Sequence, residues 1–405
     1  MLDTETTIIV GAGHGGSQCA ISLRAASYQG VIILIDADAA ELPYHKPPLS
    51  KKYLLSEDQM AVPLRSASAY EQANVLRVSD TVTSIDTGKQ VVSVLNGPDM
   101  SYSQLVLAVG ANNRNLQLLE GLSNVHSVRT LQDSSKLREF VLTTQRIEIL
   151  GGGFIGLEIA ACLAGMGKDV TVIEAADRVL GRVVSKVVST RVHKSLEQLG
   201  VNVMTGRMAT EFNSDDGELT SVTLDNGETI NTGLLVVGIG AVPNESVALL
   251  SGIACDSGIL VDQSLRTGSA NVFAIGDCAR YPHWQTEKPE RLESVQNAVD
   301  QAKLVATQIS EKSTLDYKAV PWFWSDIGPM KLQIAGIHKG DTEVVTRVEG
   351  DKFALYHLQE GRVVCVETIN NAKDHMVARK LIGSDVQVTA EDILAGADVL
   401  KALLV

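Results

Sequence analysis

The chain has only five cysteines among its 405 residues: Cys19, Cys162, Cys255, Cys278 and Cys365. None forms Cys-x-x-Cys or any other close pair. No redox-active disulfide of the usual close spacing is present, and the odd, scattered count argues against a disulfide framework, a zinc site or an iron–sulfur cluster of the chain's own. Cys19 and Cys162 fall at helical core positions and read as small apolar residues. No apolar run approaches the ~20 residues of a membrane span. Positive charge is in short supply, with 35 Lys and Arg against 48 Asp and Glu and a net charge of −13. That balance argues against non-specific nucleic-acid binding, although it leaves room for a local basic patch. The start, Met1-Leu2-Asp3-Thr4-Glu5, is acidic and lacks a signal-peptide core, so a soluble cytoplasmic protein is expected.

What is present is glycine. The length suggests two or three domains. A hydrophobic content of 45% with 34 glycines and only 4% aromatics suits α/β architecture. The β-branched run Thr7-Ile8-Ile9-Val10 passes into Gly11-Ala12-Gly13-His14-Gly15-Gly16 and then a helical stretch, Ser17 to Ala26. In this Gly-x-Gly-x-x-Gly order, Gly11 allows a tight turn, Gly13 lets backbone approach a pyrophosphate, and Gly16 lets helix and strand pack closely. Free amides at the helix start then face the phosphates. A second strand, Val31 to Ile35, ends at Asp36, with Asp38 just beyond; an acid there holds a ribose hydroxyl pair.

The pattern occurs twice. Ile147-Glu148-Ile149-Leu150 leads into Gly151-Gly152-Gly153-Phe154-Ile155-Gly156, a helical stretch from Leu157 to Met166, and a strand, Asp169 to Ile173, ending on Glu174. Each half continues with a hairpin-like segment, the second turning at Asn226-Gly227, and an apolar strand closing on glycine: Leu105 to Gly110, and Leu234 to Gly238-Ile239-Gly240. The chain is duplicated at the level of organisation. A third signal is the buried strand ending in Gly276-Asp277, whose carboxylate can accept a sugar or ribityl hydroxyl or cap a turn. The next helix opens at Glu293-Ser294-Val295 and reaches about Ile309. Within the first half, after Asp38, lies Pro47-Pro48-Leu49-Ser50-Lys51, where Ser50 is expected to cap a helix. From Tyr317 onward, strand patterns (Val344–Val348, Phe353–His357, Arg362–Thr368) and helices near Asp374 and Glu391 mark a third domain.

Together these residues resemble the FAD-dependent, NADH-using ferredoxin reductases that feed bacterial oxygenases. The carrying motifs are Gly-Ala-Gly-His-Gly-Gly (11–16), Pro-Pro-Leu-Ser-Lys (47–51), Arg-Thr-Leu (129–131), Gly-Gly-Gly-Phe-Ile-Gly-Leu-Glu (151–158), Gly-Ile-Gly-Ala-Val-Pro-Asn (238–244), Ala-Ile-Gly-Asp-Cys-Ala (274–279) and Pro-Trp-Phe-Trp-Ser-Asp (321–326). The resemblance implies two Rossmann-type dinucleotide domains, one inserted in the other, and a C-terminal α+β interface domain. The expected boundaries are 1–111 with 242–317 for FAD, 112–241 for NAD, and 318–405 for the interface. It assigns FAD contacts to Gly11, Gly13, His14, Gly15, Gly16, Lys46, Val82, Arg129, Asp277, Val295 and Trp324. Asp38 matches the adenosine-ribose acid better than Asp36, and both are kept. NAD contacts fall to Gly151, Gly153, Phe154, Ile155, Gly156, Glu174, Arg182, Gly238, Ile239 and Gly240. Lys51 and Glu158 match a charged pair at the flavin's reactive edge. Three positions depart from the pattern: Val295 stands where many relatives have Trp, Ile327 where Gln is usual, and Lys46 where Arg is common.

The implied partner is a small [2Fe-2S] ferredoxin, acidic as such proteins usually are, which serves an oxygenase such as a cytochrome P450. Lys303 and Lys331 are the expected docking cations. No metal, nucleic acid or membrane is implied, and the chain is expected to be a monomer or homodimer. Two other readings compete. One is an NADH oxidase or peroxidase using a single cysteine, for which Cys19 is the early candidate. The other is a flavin-binding redox sensor resembling apoptosis-inducing factors.

Overall fold

A computed structural model describes residues 5–38, 40–56, 60–338 and 340–404; Met1 to Thr4, most of the acidic start, lie outside the described residues. The chain divides into two compact units. One comprises Met1–His45, Val62–Asn112 and Val242–Phe323, and the other Lys46–Ala61, Asn113–Ala241 and Trp324–Val405.

The first unit is built on a five-stranded parallel sheet. Its order is Val272–Ala274, Gln104–Leu107, Thr6–Val10, Val31–Asp36, Val75–Ser79. The central strands read as unbroken apolar runs because a parallel sheet is covered on both faces. Ile8, Ile9, Leu105, Val106 and Phe273 have no exposed surface. Helix His14–Ala25 packs against helix Val295–Glu311. The first helix begins three residues before the expected Ser17, because the last glycines of the loop already form its first turn.

The second unit repeats the plan in the order Asn202–Thr205, Asp169–Glu174, Arg146–Leu150, Leu234–Val237, Val125–His126. Its fingerprint helix, Phe154–Gly165, likewise starts earlier than Leu157. The two sheets interleave in chain order, since the strand Val272–Ala274 returns to the first sheet after the second is complete. A five-stranded sheet follows, ordered Trp322–Ile327, Met330–Gly336, Arg362–Ile369, Lys352–Gln359, Glu343–Glu349. Helix Ala372–Leu381 packs on its central strands. The fold is α/β with two Rossmann-type sheets and a C-terminal α+β part.

One acid sits inside the second sheet. Glu148, in the central strand, has no exposed surface, and burial pushes its carboxyl up to about 7, only partly offset by Thr232 and Arg146. A carboxyl whose folded pKa exceeds its unfolded value favours folding only while protonated. Stability is therefore lost as pH rises from the unfolded pKa towards 7, and the penalty persists above it. Glu148→Gln is expected to raise Tm at about pH 8, by up to about 3 kcal/mol of stability, and to have little effect near pH 5. Melting curves at the two pH values check this; an equal gain at both would contradict it.

Candidate functional site

The two glycine loops solve the same steric problem in the same way. Gly11 has φ +94° and Gly151 φ +108°; a Cβ would lie 2.4 Å from the carbonyl oxygen of Ala108 in one and of Gly238 in the other. At Gly16 and Gly156, a Cβ would stand 1.8 and 2.4 Å from the carbonyl oxygen of the loop's own first glycine. These four glycines are required by the packing of the chain against itself. The middle glycines are different. A Cβ on Gly13 would meet nothing within 4 Å, and one on Gly153 only the Gly238 carbonyl at 3.9 Å. Their bareness leaves an open cradle beside the backbone. Both helices behind these loops lack a side-chain N-cap and have no acid in the first turn. Uncapped amides beside an open cradle suit a diphosphate. The residues present therefore fit two dinucleotides.

Around the first cradle, Asp36 ends its strand. Asp38 accepts a hydrogen bond from the Tyr44 hydroxyl at 2.5 Å and from the Ala40 N–H at 3.2 Å. His14 Nε2 lies 3.2 Å from His45 Nδ1, and burial together with the charge of Arg65 holds the His45 imidazole below its usual pKa. Asp277 sits in the short turn Gly276–Cys278, which Gln301 fixes by accepting the Gly276 N–H at 2.7 Å. Val295 is the first residue of its helix and half-buried; Ser294 caps it by accepting the Asn297 N–H at 3.1 Å. Val82 is half-buried and opens a strand most of whose residues are exposed.

In the second unit, Glu174 is engaged with its own fingerprint. Its Oε2 accepts the Gly152 N–H at 2.6 Å and its Oε1 the Ala176 N–H at 2.7 Å. Arg178 is turned inward, donating to the carbonyls of Gly181 and Val184 at 2.6 and 2.8 Å. Arg182 is exposed, with Nη2 3.9 Å from where a Gly240 Cβ would be. Phe154 is half-buried and Ile155 exposed; Ile239 is half-buried between Gly238 and Gly240.

Lys51 and Glu158 meet. Lys51 Nζ is 2.6 Å from Glu158 Oε2, and the glutamate is only 7% exposed. The Ser50 hydroxyl donates to Oε2 at 2.5 Å and the Ser325 hydroxyl to Oε1 at 2.7 Å, so both carboxylate oxygens are engaged. Ser50 is therefore no helix cap: Lys51 occupies the N-cap position of helix Lys52–Leu55, and the serine side chain turns to the buried carboxylate instead. The role of Ser325 has no local signal, because it stands 167 residues from its partner. The segment is stitched down further by Ser134, whose hydroxyl donates to the Leu49 carbonyl at 2.8 Å, and by Lys46, whose Nζ donates to the Arg129 carbonyl at 3.4 Å. Trp324 is half-buried, and Ile327 has no exposed surface and serves as core.

All five thiols are unpaired with one another. Burial pushes Cys19 and Cys278 up to about 12 and Cys162 and Cys255 up to about 11, and Cys365 well above its usual value. Cys162 is half-buried rather than core, and its sulfur faces the Lys51 carbonyl at 3.8 Å. A catalytic cysteine needs a depressed pKa. None of these has one. Among the described residues, no helix is long and apolar enough to cross a membrane.

Comparison with known proteins agrees with this geometry. Residues 5–302 match the pyridine nucleotide-disulphide oxidoreductase family, and residues 322–404 match the reductase C-terminal family. Rhodocoxin reductase from Rhodococcus erythropolis is 39% identical over 95% of this chain and 91% of its own. The crystal structure of the ferredoxin reductase for the CYP199A2 system from Rhodopseudomonas palustris superposes with a TM-score of 0.95 at 38% identity, covering 99% of this chain and 100% of that one. The reductase in the covalent putidaredoxin reductase–putidaredoxin complex gives a TM-score of 0.92 at 31% identity, covering 99% and 98%. The chain belongs to the pyridine nucleotide-disulphide oxidoreductase family, among its FAD- and NAD-dependent ferredoxin reductases.

Proposed function

We propose that this chain takes reducing equivalents from NADH through FAD and passes single electrons to a small [2Fe-2S] ferredoxin, which supplies an oxygenase such as a cytochrome P450 in the cytoplasm. The observation that carries the reading is the Lys51–Glu158 pair locked by Ser50 and Ser325, in a chain whose thiols are unpaired with one another and pushed up by burial. A single-cysteine route needs a thiolate, the form that burial disfavours at all five positions. When bound, FAD would supply the redox chemistry, hydride acceptance and single-electron release.

The rest is the work of the chain. The division proposed is an FAD domain at 1–111 and 242–317, an NAD domain at 112–241 and an interface domain at 318–405. The amides of Gly11 to Gly16 hold one diphosphate, and Asp36 or Asp38 holds its ribose. Val82, Lys46, Arg129, Asp277, Val295 and Trp324 are the further FAD contacts that the family resemblance implies. The amides of Gly151 to Gly156, with Phe154 and Ile155, hold the second diphosphate; Glu174 holds its ribose, and Arg182 and Gly238 to Gly240 border it. Glu158 orients Lys51, whose ammonium would stabilise the negative charge that develops in hydride transfer.

The test is NADH-driven reduction of candidate ferredoxins by the purified protein, scored against oxygen and disulfide acceptors. Turnover confined to the latter would reject the reading. Small ferredoxins are acidic and this chain carries −13, so docking requires local cations. Lys303 is 57% exposed and only loosely paired with Asp300 at 3.5 Å, and Lys331 is exposed at the start of its strand. Raising ionic strength to about 0.5 M is expected to increase the ferredoxin KM roughly tenfold while leaving NADH–ferricyanide activity nearly unchanged. Lys303→Glu at low salt is expected to act in the same direction. If neither separates the two activities, docking lies elsewhere.

A further inference from the structure

The strand Arg362–Ile369 carries an acid into the protein interior. Glu367 has no exposed surface, and a buried carboxylate is retained only with partners. They come from 182 residues upstream: the Ser185 N–H donates to Oε1 at 2.8 Å and the Ser185 hydroxyl to Oε2 at 2.6 Å. Ser185 is the N-cap of helix Lys186–Gln198, so the carboxylate also sits at the positive end of that helix. On its other side, His357 Nε2 and His338 Nε2 approach Oε1 at 3.6 and 4.0 Å. The two imidazoles stack, centroids 4.0 Å apart and 7° from parallel.

Ser185 also ends a loop. That loop leaves Glu174 at the end of its strand and returns over the second glycine fingerprint. The Leu180 N–H donates to the Gly152 carbonyl at 2.9 Å, and Glu174 accepts the Gly152 N–H. Val179 is buried, its Cγ1 3.1 Å from where a Gly152 Cβ would lie. Arg178 braces the middle through the Gly181 and Val184 carbonyls. The near end of the loop is thus fastened to the fingerprint and the far end to Glu367.

We infer that Glu367 is a positioning residue for the nicotinamide dinucleotide: through Ser185 it holds the loop 175–185 against Gly152 and so sets dinucleotide affinity without touching the ligand. The inference rests on reading the second fingerprint as the NADH site. A neutral amide in place of the carboxylate keeps the volume but removes the charge and one of the two acceptor oxygens that Ser185 uses, which weakens the hold on the far end of the loop. Misplacement of binding groups by fractions of an ångström is enough to lower affinity.

The experiment is calorimetric titration of the flavin-loaded protein with NAD⁺, alongside Tm, flavin content and steady-state kinetics with NADH. Glu367→Gln is expected to raise the Kd for NAD⁺ and the KM for NADH roughly tenfold, with kcat at saturating NADH within about twofold of wild type. Ser185→Ala, which loses the hydroxyl bond and keeps the N–H bond, is expected to raise both by about threefold, and Ser185→Thr to restore them. A wild-type Kd in Glu367→Gln overturns the inference, even where Tm falls, because the residue would then be structural alone. Should Glu367→Gln lose its flavin, an unchanged Kd in Ser185→Ala overturns it equally. A wild-type protein that binds FAD but neither NAD⁺ nor ADP-ribose overturns the reading of the fingerprint itself.

Discussion

Lys51→Met is expected to slow flavin reduction by NADH about 10²- to 10³-fold in stopped flow, with FAD still bound. The magnitude is that of removing one preorganised charge that stabilises a transition state. The geometry explains why Lys51 is preorganised. A lysine carries four rotatable bonds, and an unpartnered one would spend little time in any single direction. Here its ammonium is held 2.6 Å from a carboxylate that is itself fixed by two serine hydroxyls. Removing Lys51 alone leaves that buried carboxylate without its cation, and breaking such a pair costs about 3–5 kcal/mol. The control is therefore Lys51→Met with Glu158→Gln, which removes both charges and is expected to regain most of the lost Tm while remaining slow. An unchanged rate of flavin reduction in either variant would reject the role of Lys51. A rate recovered in the double variant would assign the single variant's defect to stability.

Wild-type protein is expected to prefer NADH to NADPH by at least about a hundredfold in kcat/KM, and Glu174→Ala to lose most of that preference. A carboxylate accepts ribose hydroxyls but repels a 2′-phosphate. Two unit charges at ~4 Å interact by about 4 kcal/mol at an effective dielectric near 20. Glu174 is half-exposed, so solvent screening leaves part of this, and a hundredfold corresponds to about 2.7 kcal/mol. The structure sharpens the expectation in two ways. The two backbone amides that Glu174 accepts hold its carboxylate over the fingerprint. Arg178, close enough in sequence to offset the charge, has its guanidinium committed to two carbonyls, which leaves Arg182 as the exposed cation of the loop. Equal kcat/KM for the two nucleotides in the wild type would reject the assignment of Glu174.

Much of this protein is determined locally and is therefore legible in the chain itself. A Gly-x-Gly-x-x-Gly after an apolar run commits the backbone within ten residues, because φ near +94° at Gly11 and the contact of Gly16 with Gly11 are properties of adjacent residues. The acid at the end of the next strand follows from the same unit, and a unit repeated in the same chain predicts a repeated sheet. Parallel strands buried on both faces announce themselves as apolar runs. The partners of buried polar groups were decided only by the tertiary structure. Ser50 has the local chemistry of a helix cap, yet the carboxylate of Glu158, 108 residues away, offers a charged acceptor and takes its hydroxyl. Ser325 reaches the same carboxylate, and Ser185 binds Glu367, across intervals that carry no periodicity. Glu148 looks like any strand acid until the sheet closes around it and raises its pKa. Backbone geometry is written in neighbouring residues; the cost of burying a charge is met by whichever donors the fold brings near, and no spacing in the sequence specifies those.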